Sequence, residues 1–258
     1  RRNIATATAQ GASQLLSFGG AHSNHLHALA ALGLELGWPT AAFIRADAAQ
    51  STPCMDDLQR WGMQLHRLSR SEYRRRHDPV FVESLLQDFE NPYLIPEGGG
   101  NLDGAQGCAE IAELLPRRGA DYALIMIACG TGTTLAGLAA GVADGVQLLG
   151  VPVLKAEAFM AGDIRRLILQ LGADRGNWRL DHRFVDRGFG RLSEGLVDFI
   201  RGFESRHGLP LDPVYTAKLF YAVETMAAAG ELADYSRILV VHSGGLQGRR
   251  GYPELFRA

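Results

Sequence analysis

Cys129-Gly130-Thr131-Gly132-Thr133-Thr134 follows the apolar run Ala123-Leu124-Ile125-Met126-Ile127-Ala128 and leads into Leu135-Ala136-Gly137-Leu138. A buried strand that breaks into Gly and Thr and then starts a helix aims backbone N–H groups and hydroxyls at one point. The positive end of the helix lies behind them. That is a phosphate cradle. No Lys follows the glycines, so it is not a Walker loop, and it lacks the GxGxxG spacing of a dinucleotide turn. The expected guest is a phosphate carried by a smaller cofactor; the alternative is a tight strand-to-helix turn without a ligand.

Outward from this loop the chain alternates strands and helices. Strands are predicted at 14–18, 40–44, 64–68, 92–96, 123–128, 147–153 and 237–241. Helices are predicted over about 23–36, 55–61, 79–89, 104–115, 161–171, 192–206 and 217–229. Regular alternation argues for an α/β fold with mostly parallel sheets, whose ligands collect outside the carboxyl ends of the strands. Gly-rich turns fall at such ends: Gly19-Gly20, Gly98-Gly99-Gly100, Gly130/Gly132 and Gly244-Gly245. With no low-complexity linker, two lobes would be intertwined, the smaller covering 17–90 and the larger 1–16 and 91–258.

Composition narrows the setting. A chain of 258 residues with 47% hydrophobic and 21% charged residues fits a globular protein of one large domain or two lobes. A net charge of -2 gives no reason to expect nucleic acid or an anionic membrane. The basic run Tyr73-Arg74-Arg75-Arg76-His77 reads as a solvated helix face. Cys54, Cys108 and Cys129 form no CxxC, so neither a disulfide framework nor a zinc site is expected, and a reducing, cytoplasmic compartment fits. No apolar stretch is long enough to span a membrane.

Three further stretches stand out. In Gly19-Gly20-Ala21-His22-Ser23-Asn24-His25-Leu26-His27, Ser23 sits where a helix cap belongs. His25 and His27 are two apart and point away from each other on a helix, so no metal is expected there. In Asp212-Pro213-Val214-Tyr215-Thr216-Ala217-Lys218, Tyr215 reads either as a half-buried aromatic at a helix start or as a site residue. His242-Ser243-Gly244-Gly245 follows the last strand as a Gly-rich turn or a binding loop.

Together the four segments, in this order and over nearly the whole chain, resemble the 1-aminocyclopropane-1-carboxylate (ACC) deaminase/D-cysteine desulfhydrase family. The resemblance implies pyridoxal 5′-phosphate as cofactor and the tryptophan synthase β-like fold (fold type II), two three-layer α/β lobes. It implies that Cys129, Gly130, Thr131, Gly132, Thr133 and Thr134 bind the cofactor phosphate through backbone and hydroxyl groups. Asn24 matches the residue bonded to the 3′ oxygen of the ring, and Ser243 falls where the ring nitrogen is expected. Ser23 matches a serine beside the substrate carboxylate implicated in proton transfer, with His25 and Thr216 also on the substrate side. Tyr215 matches the tyrosine next to the reacting carbon. A small amino acid as substrate and a homodimer are implied as well.

Two positions separate the branches. The deaminase branch has Glu after the tyrosine and Leu between the His and the Gly pair, where this chain has Thr216 and Ser243. A hydroxyl near the ring nitrogen makes a weaker electron sink than a carboxylate does, and a good β leaving group needs no more. The expected reaction is α,β-elimination of D-cysteine or a related β-substituted amino acid to pyruvate, ammonia and sulfide. The alternatives are ACC deamination and a non-catalytic pyridoxal-phosphate binder. The chain has two lysines, Lys155 and Lys218. Neither is expected to carry the cofactor; Lys218 is expected to support the site. By the resemblance the Schiff-base lysine falls just before Arg1, and the start at Arg1 rather than Met fits a missing N-terminal part.

Overall fold

The computed structural model describes residues 1–155 and 157–256. The chain packs as two units, Arg1–Gly99 and Gly100–Ala258. The first runs α1 (Arg2–Ala9), β1 (Gln14–Gly20), α2 (Asn24–Leu36), β2 (Thr40–Arg45) and α3 (Pro53–Arg60). It continues through β3 (Gln64–Leu68), α4 (Arg70–Arg74), α5 (Pro79–Leu86) and β4 (Pro92–Ile95). Its strands are parallel in the order β3-β2-β1-β4. Successive side chains of β1 and β2 go to opposite faces and both faces are covered. Leu15, Ala42 and Ile44 pack with Leu26, Met55 and Leu58, whereas Leu16, Phe18 and Phe43 pack with Tyr73 and Phe81.

The second unit runs α6 (Leu102–Ala109), β5 (Leu124–Cys129), α7 (Thr133–Gly141), β6 (Gln147–Pro152) and α8 (Glu157–Gln170). β7 (Trp178–Leu180), α9 (Glu194–His207), α10 (Thr216–Ala228) and β8 (Ile238–Val241) complete it. The strands are again parallel, in the order β7-β6-β5-β8. Ile125, Ile127 and Leu148 face Leu135, Leu138 and Ile164, and Leu124, Met126 and Leu149 face Leu219, Ala222 and Met226. Each unit is therefore a three-layer α/β sandwich.

The two sheets share one topology. The first strand of each, β1 or β5, has its successor on one side and the last strand on the other. Strand order reverses there, and a crevice opens beyond the carboxyl end of that strand. Gly19 to Ser23 leaves one such point and 129–134 leaves the other.

Three expectations need correction. Residues 1–16 and 91–99 belong to the first unit, because β4 pairs with β1 and Ala7 lies in the core shared by Leu15 and Ala42. The two units are thus consecutive within this chain rather than intertwined. β7 was not foreseen; three residues at a sheet edge carry too short a pattern to read. The helix expected over 104–115 gives way after Ala109 to tighter turns over Glu110–Leu114.

Candidate active site

In the second unit the site is built mainly from main chain. β5 ends at Cys129, whose side chain is 2% exposed, and burial pushes its thiol up to about 12. Its sulfur faces Gly150 in the core and its carbonyl accepts Val153 N–H. Cys129 thus closes the strand and offers a ligand no side chain. Gly132, at φ +84°, is the N-cap of α7 and has no side chain to satisfy the first turn. The orphan N–H groups of that turn are left for a ligand at the positive end of the helix. A Cβ on Gly132 would lie 2.4 Å from Ile164 Cγ1, so only glycine fits. Thr131 and Thr133 join their hydroxyls at 2.9 Å, and Thr134 Oγ1 takes a weak S–H bond from Cys108.

Tyr215 lies on this loop. A Cβ on Gly130 would come within 3.1 Å of its Cε1 and 3.3 Å of its hydroxyl oxygen. The ring is braced edge-on by Phe189, with centroids 5.9 Å apart. Asp212 sets the turn below it. Its Oδ1 accepts the N–H groups of Tyr215 at 2.6 Å and Val214 at 3.0 Å. Burial raises the Asp212 carboxyl to about 6, against the lowering effect of those two bonds.

Thr216 is 0% exposed, and its oxygen accepts Asp212 N–H at 2.7 Å. The hydroxyl caps a turn inside the unit. Ser243 is exposed just past β8, the strand beside β5. His242 holds it there, accepting Gly244 N–H at Nδ1 (3.2 Å) and bonding Pro210 O through Nε2 (2.9 Å). Those partners assign the neutral tautomer with its proton on Nε2.

The two lysines differ in exposure. Lys155 is exposed, on the rim of an open cavity with His182 and Asp186. Lys218 is buried, and its ammonium donates to three carbonyls.

In the first unit the same edge is built from side chains. Ser23 caps α2, accepting Leu26 N–H at 3.2 Å and leaving its own O–H to donate; Asn24 is the first helical residue. Ser17 donates to Ile95 O at 2.7 Å, and His25 Nε2 lies 2.7 Å from the same hydroxyl oxygen. With that proton committed, the ring donates through Nε2–H and Nδ1 is the acceptor. Burial pushes His25 down to about 4, opposed by Glu97, so the ring is neutral at pH 7. His27 pairs with Asp57 at 3.0 Å.

Glu97 accepts the Tyr73 hydroxyl and Arg76 Nε, both at 2.7 Å. The basic run read as a solvated face thus turns Tyr73 and Arg76 inward, while Arg74 and Arg75 stay exposed. The sequence reading missed Ser17, Glu97 and Asp212. Asp212 could have been found from its place four residues before Thr216, ahead of a helix start.

A family profile described as pyridoxal-phosphate dependent enzyme matches residues 2–244. The chain belongs to this family. Its cofactor is pyridoxal 5′-phosphate, and the uncapped helix behind a glycine cradle with three threonines suits a phosphate dianion. The chain is similar to the 1-aminocyclopropane-1-carboxylate deaminase of Burkholderia vietnamiensis, 28% identical over 98% of this chain and 82% of the relative. It is 27% identical to the bifunctional D-cysteine desulfhydrase/1-aminocyclopropane-1-carboxylate deaminase, mitochondrial, of Arabidopsis thaliana, over 95% of this chain and 67% of the relative.

A crystal structure described as an ACC deaminase homologue superposes with a TM-score of 0.83 at 26% identity, covering 98% of this chain and 80% of that one. The fold is the type II pyridoxal-phosphate fold. Among the described residues no helix is long and apolar enough to cross a membrane.

Proposed function

We propose that this pyridoxal-phosphate enzyme eliminates a β substituent from a small amino acid, D-cysteine above all. The overall change is D-cysteine plus water to pyruvate, ammonia and hydrogen sulfide. The observation that carries this reading is Ser243, a hydroxyl where the deaminase branch has Leu, presented by His242 beside the strand that feeds the phosphate loop. Thr216, in place of the deaminase Glu, adds no carboxylate. Bound pyridoxal phosphate supplies the electron sink for the charge left when the α proton is removed, and a hydroxyl beside the ring nitrogen suits a leaving group as good as hydrosulfide.

The protein's own groups do the rest. Gly130, Thr131, Gly132, Thr133 and Thr134 hold the phosphate with N–H and O–H donors. Asn24 bonds the 3′ oxygen, and Ser243 meets the ring nitrogen. Ser23 binds the substrate carboxylate through the O–H that the cap leaves over, and serves in proton transfer. Tyr215, fixed by Asp212, Gly130 and Phe189, acts at the reacting carbon as acid/base. His25, neutral, orients through Ser17 rather than by charge.

ACC deamination is the second reading, favoured by the names of the Burkholderia relative and of the superposed structure. Product analysis of the full-length protein with pyridoxal phosphate separates the two. Pyruvate and sulfide from D-cysteine, or pyruvate from β-chloro-D-alanine, with little 2-oxobutyrate from ACC, is the expected result. Preference for ACC overturns the elimination reading and leaves the family intact.

A further inference from the structure

Lys218 is 0% exposed, in the first turn of α10. Its Nζ donates to Gly188 O at 2.7 Å, Val185 O at 2.8 Å and Val153 O at 3.1 Å. An ammonium has three N–H groups, and all three are used. Among the described residues no carboxylate forms an ion pair with it; Asp186 and Asp212 only favour its charge from further off. A buried cation without a counter-ion is costly unless dipoles replace its water. Here main-chain carbonyls replace it, as they do around a dehydrated alkali cation.

The carbonyls come from two places that need joining. Val153 follows β6 and is tied to the phosphate loop through its N–H to Cys129 O. Val185 and Gly188 belong to the loop after β7, which curls because Asp186 (φ +57°), Gly188 (φ +101°) and Gly190 (φ +68°) all adopt left-handed backbone. A left-handed aspartate is uncommon and is held here by Ser193 N–H on its Oδ2 at 2.9 Å. The same loop carries Phe189, the ring that braces Tyr215.

We propose that Lys218 is a built-in monovalent cation, a positioning residue whose ammonium fills a three-carbonyl site and so fixes the 185–190 loop and Phe189 against Tyr215. Burial lowers its pKa to about 8, so the group stays charged at neutral pH. The claim concerns the second unit alone and holds whichever amino acid is the substrate.

The test replaces the tethered cation with a free one. Full-length, cofactor-loaded wild type and Lys218→Met are melted in potassium, ammonium and tetramethylammonium chloride at equal ionic strength. Visible circular dichroism of the bound cofactor is followed in parallel. Wild type should melt within about 1 °C in all three salts. Lys218→Met should melt lower in tetramethylammonium, which is too large for the site. Potassium or ammonium at about ten times its Kd should restore about 3–6 °C. The cofactor dichroism should return with the same midpoint, which a merely structural role would not produce. A variant indifferent to the cation, or a wild type that itself gains stability from potassium, overturns the proposal. Should Lys218→Met fail to fold in every salt, 15N-lysine spectra of wild type at pH 7 decide: a charged, slowly exchanging Lys218 ammonium supports the cation, and a neutral amine overturns it.

Discussion

The two sheets of this protein have the same strand order and opposite construction at their carboxyl edges. Beyond β1 the groups are side chains that carry or share protons: Ser17 with His25, Tyr73 with Glu97 and Arg76, and Ser23 with a hydroxyl to give. Beyond β5 main chain predominates, beside the threonine hydroxyls and Tyr215: an uncapped helix start, a glycine pressed under Tyr215, and carbonyls closed on Lys218. Fixed dipoles suit a permanent dianion because they need no reorganisation and cannot titrate. Side-chain networks suit groups whose protons must be placed or moved. In the proposed function the phosphate anchor lies beyond β5 with Tyr215 beside it as an acid/base group, and the groups beyond β1 are those that share protons.

The contrast makes glycine the first place to break it. Gly132→Ala forces a Cβ into Ile164 at φ +84°. Left-handed strain and overpacking together should cost about 2–5 kcal/mol. Gly20→Ala in the other unit meets Arg45 Nη2 at an ordinary 3.8 Å and should cost no more than about 1 kcal/mol. Peptide-resolved hydrogen exchange in urea reads each unit separately. Equal losses at the two sites would erase the distinction.

Acid should pull the units in opposite directions. His25 has a depressed pKa in the fold, about 4 against 6.5, so its stabilisation is present above pH 6.5 and is lost as pH falls toward 4. Asp212 has a raised one, about 6 against 3.8, so its contribution is present below pH 3.8 and is lost as pH rises through 6. Each is worth on the order of 3 kcal/mol. Exchange protection between pH 4 and 7 should fall on acidification around His25 and rise around Asp212. Asp212→Asn should flatten the second trend and leave the first.

How far the sequence carried this picture depended on what made each feature. The shape of the β5 loop was legible because residue type writes it: an apolar run for the strand and glycine for the left-handed cap that starts the helix. Ser23 was legible as a cap, and the cap is there. The bond between Thr216 and Asp212 N–H was not legible, because a linear pattern does not show the burial of Asp212. The Glu97 cluster was invisible for a similar reason: Tyr73 and Arg76 meet it from another segment of the unit, across β4. Lys218 could be suspected of support from its spacing after Tyr215, but its three carbonyls come from loops whose curl depends on left-handed residues.

Thr216 gives a smaller test. Thr216→Val keeps the shape and leaves Asp212 N–H buried without its partner, at a cost of about 1–3 kcal/mol. Stability should fall while the ratio of pyruvate from D-cysteine to 2-oxobutyrate from ACC stays unchanged. A shifted ratio would place Thr216 beside the substrate.

The assignment of the phosphate to the β5 loop is tested most directly by binding pyridoxal 5′-phosphate and phosphate-free pyridoxal to the same full-length variants. Thr133→Ala and Thr134→Ala should each weaken pyridoxal phosphate about 10- to 100-fold, one charge-assisted hydrogen bond, and leave pyridoxal unchanged. Asn24→Ala, in the first unit, should weaken both ligands by the same factor. If the threonine variants weaken pyridoxal as much as its phosphate, or Asn24→Ala discriminates between the two, the β5 loop is not the phosphate anchor.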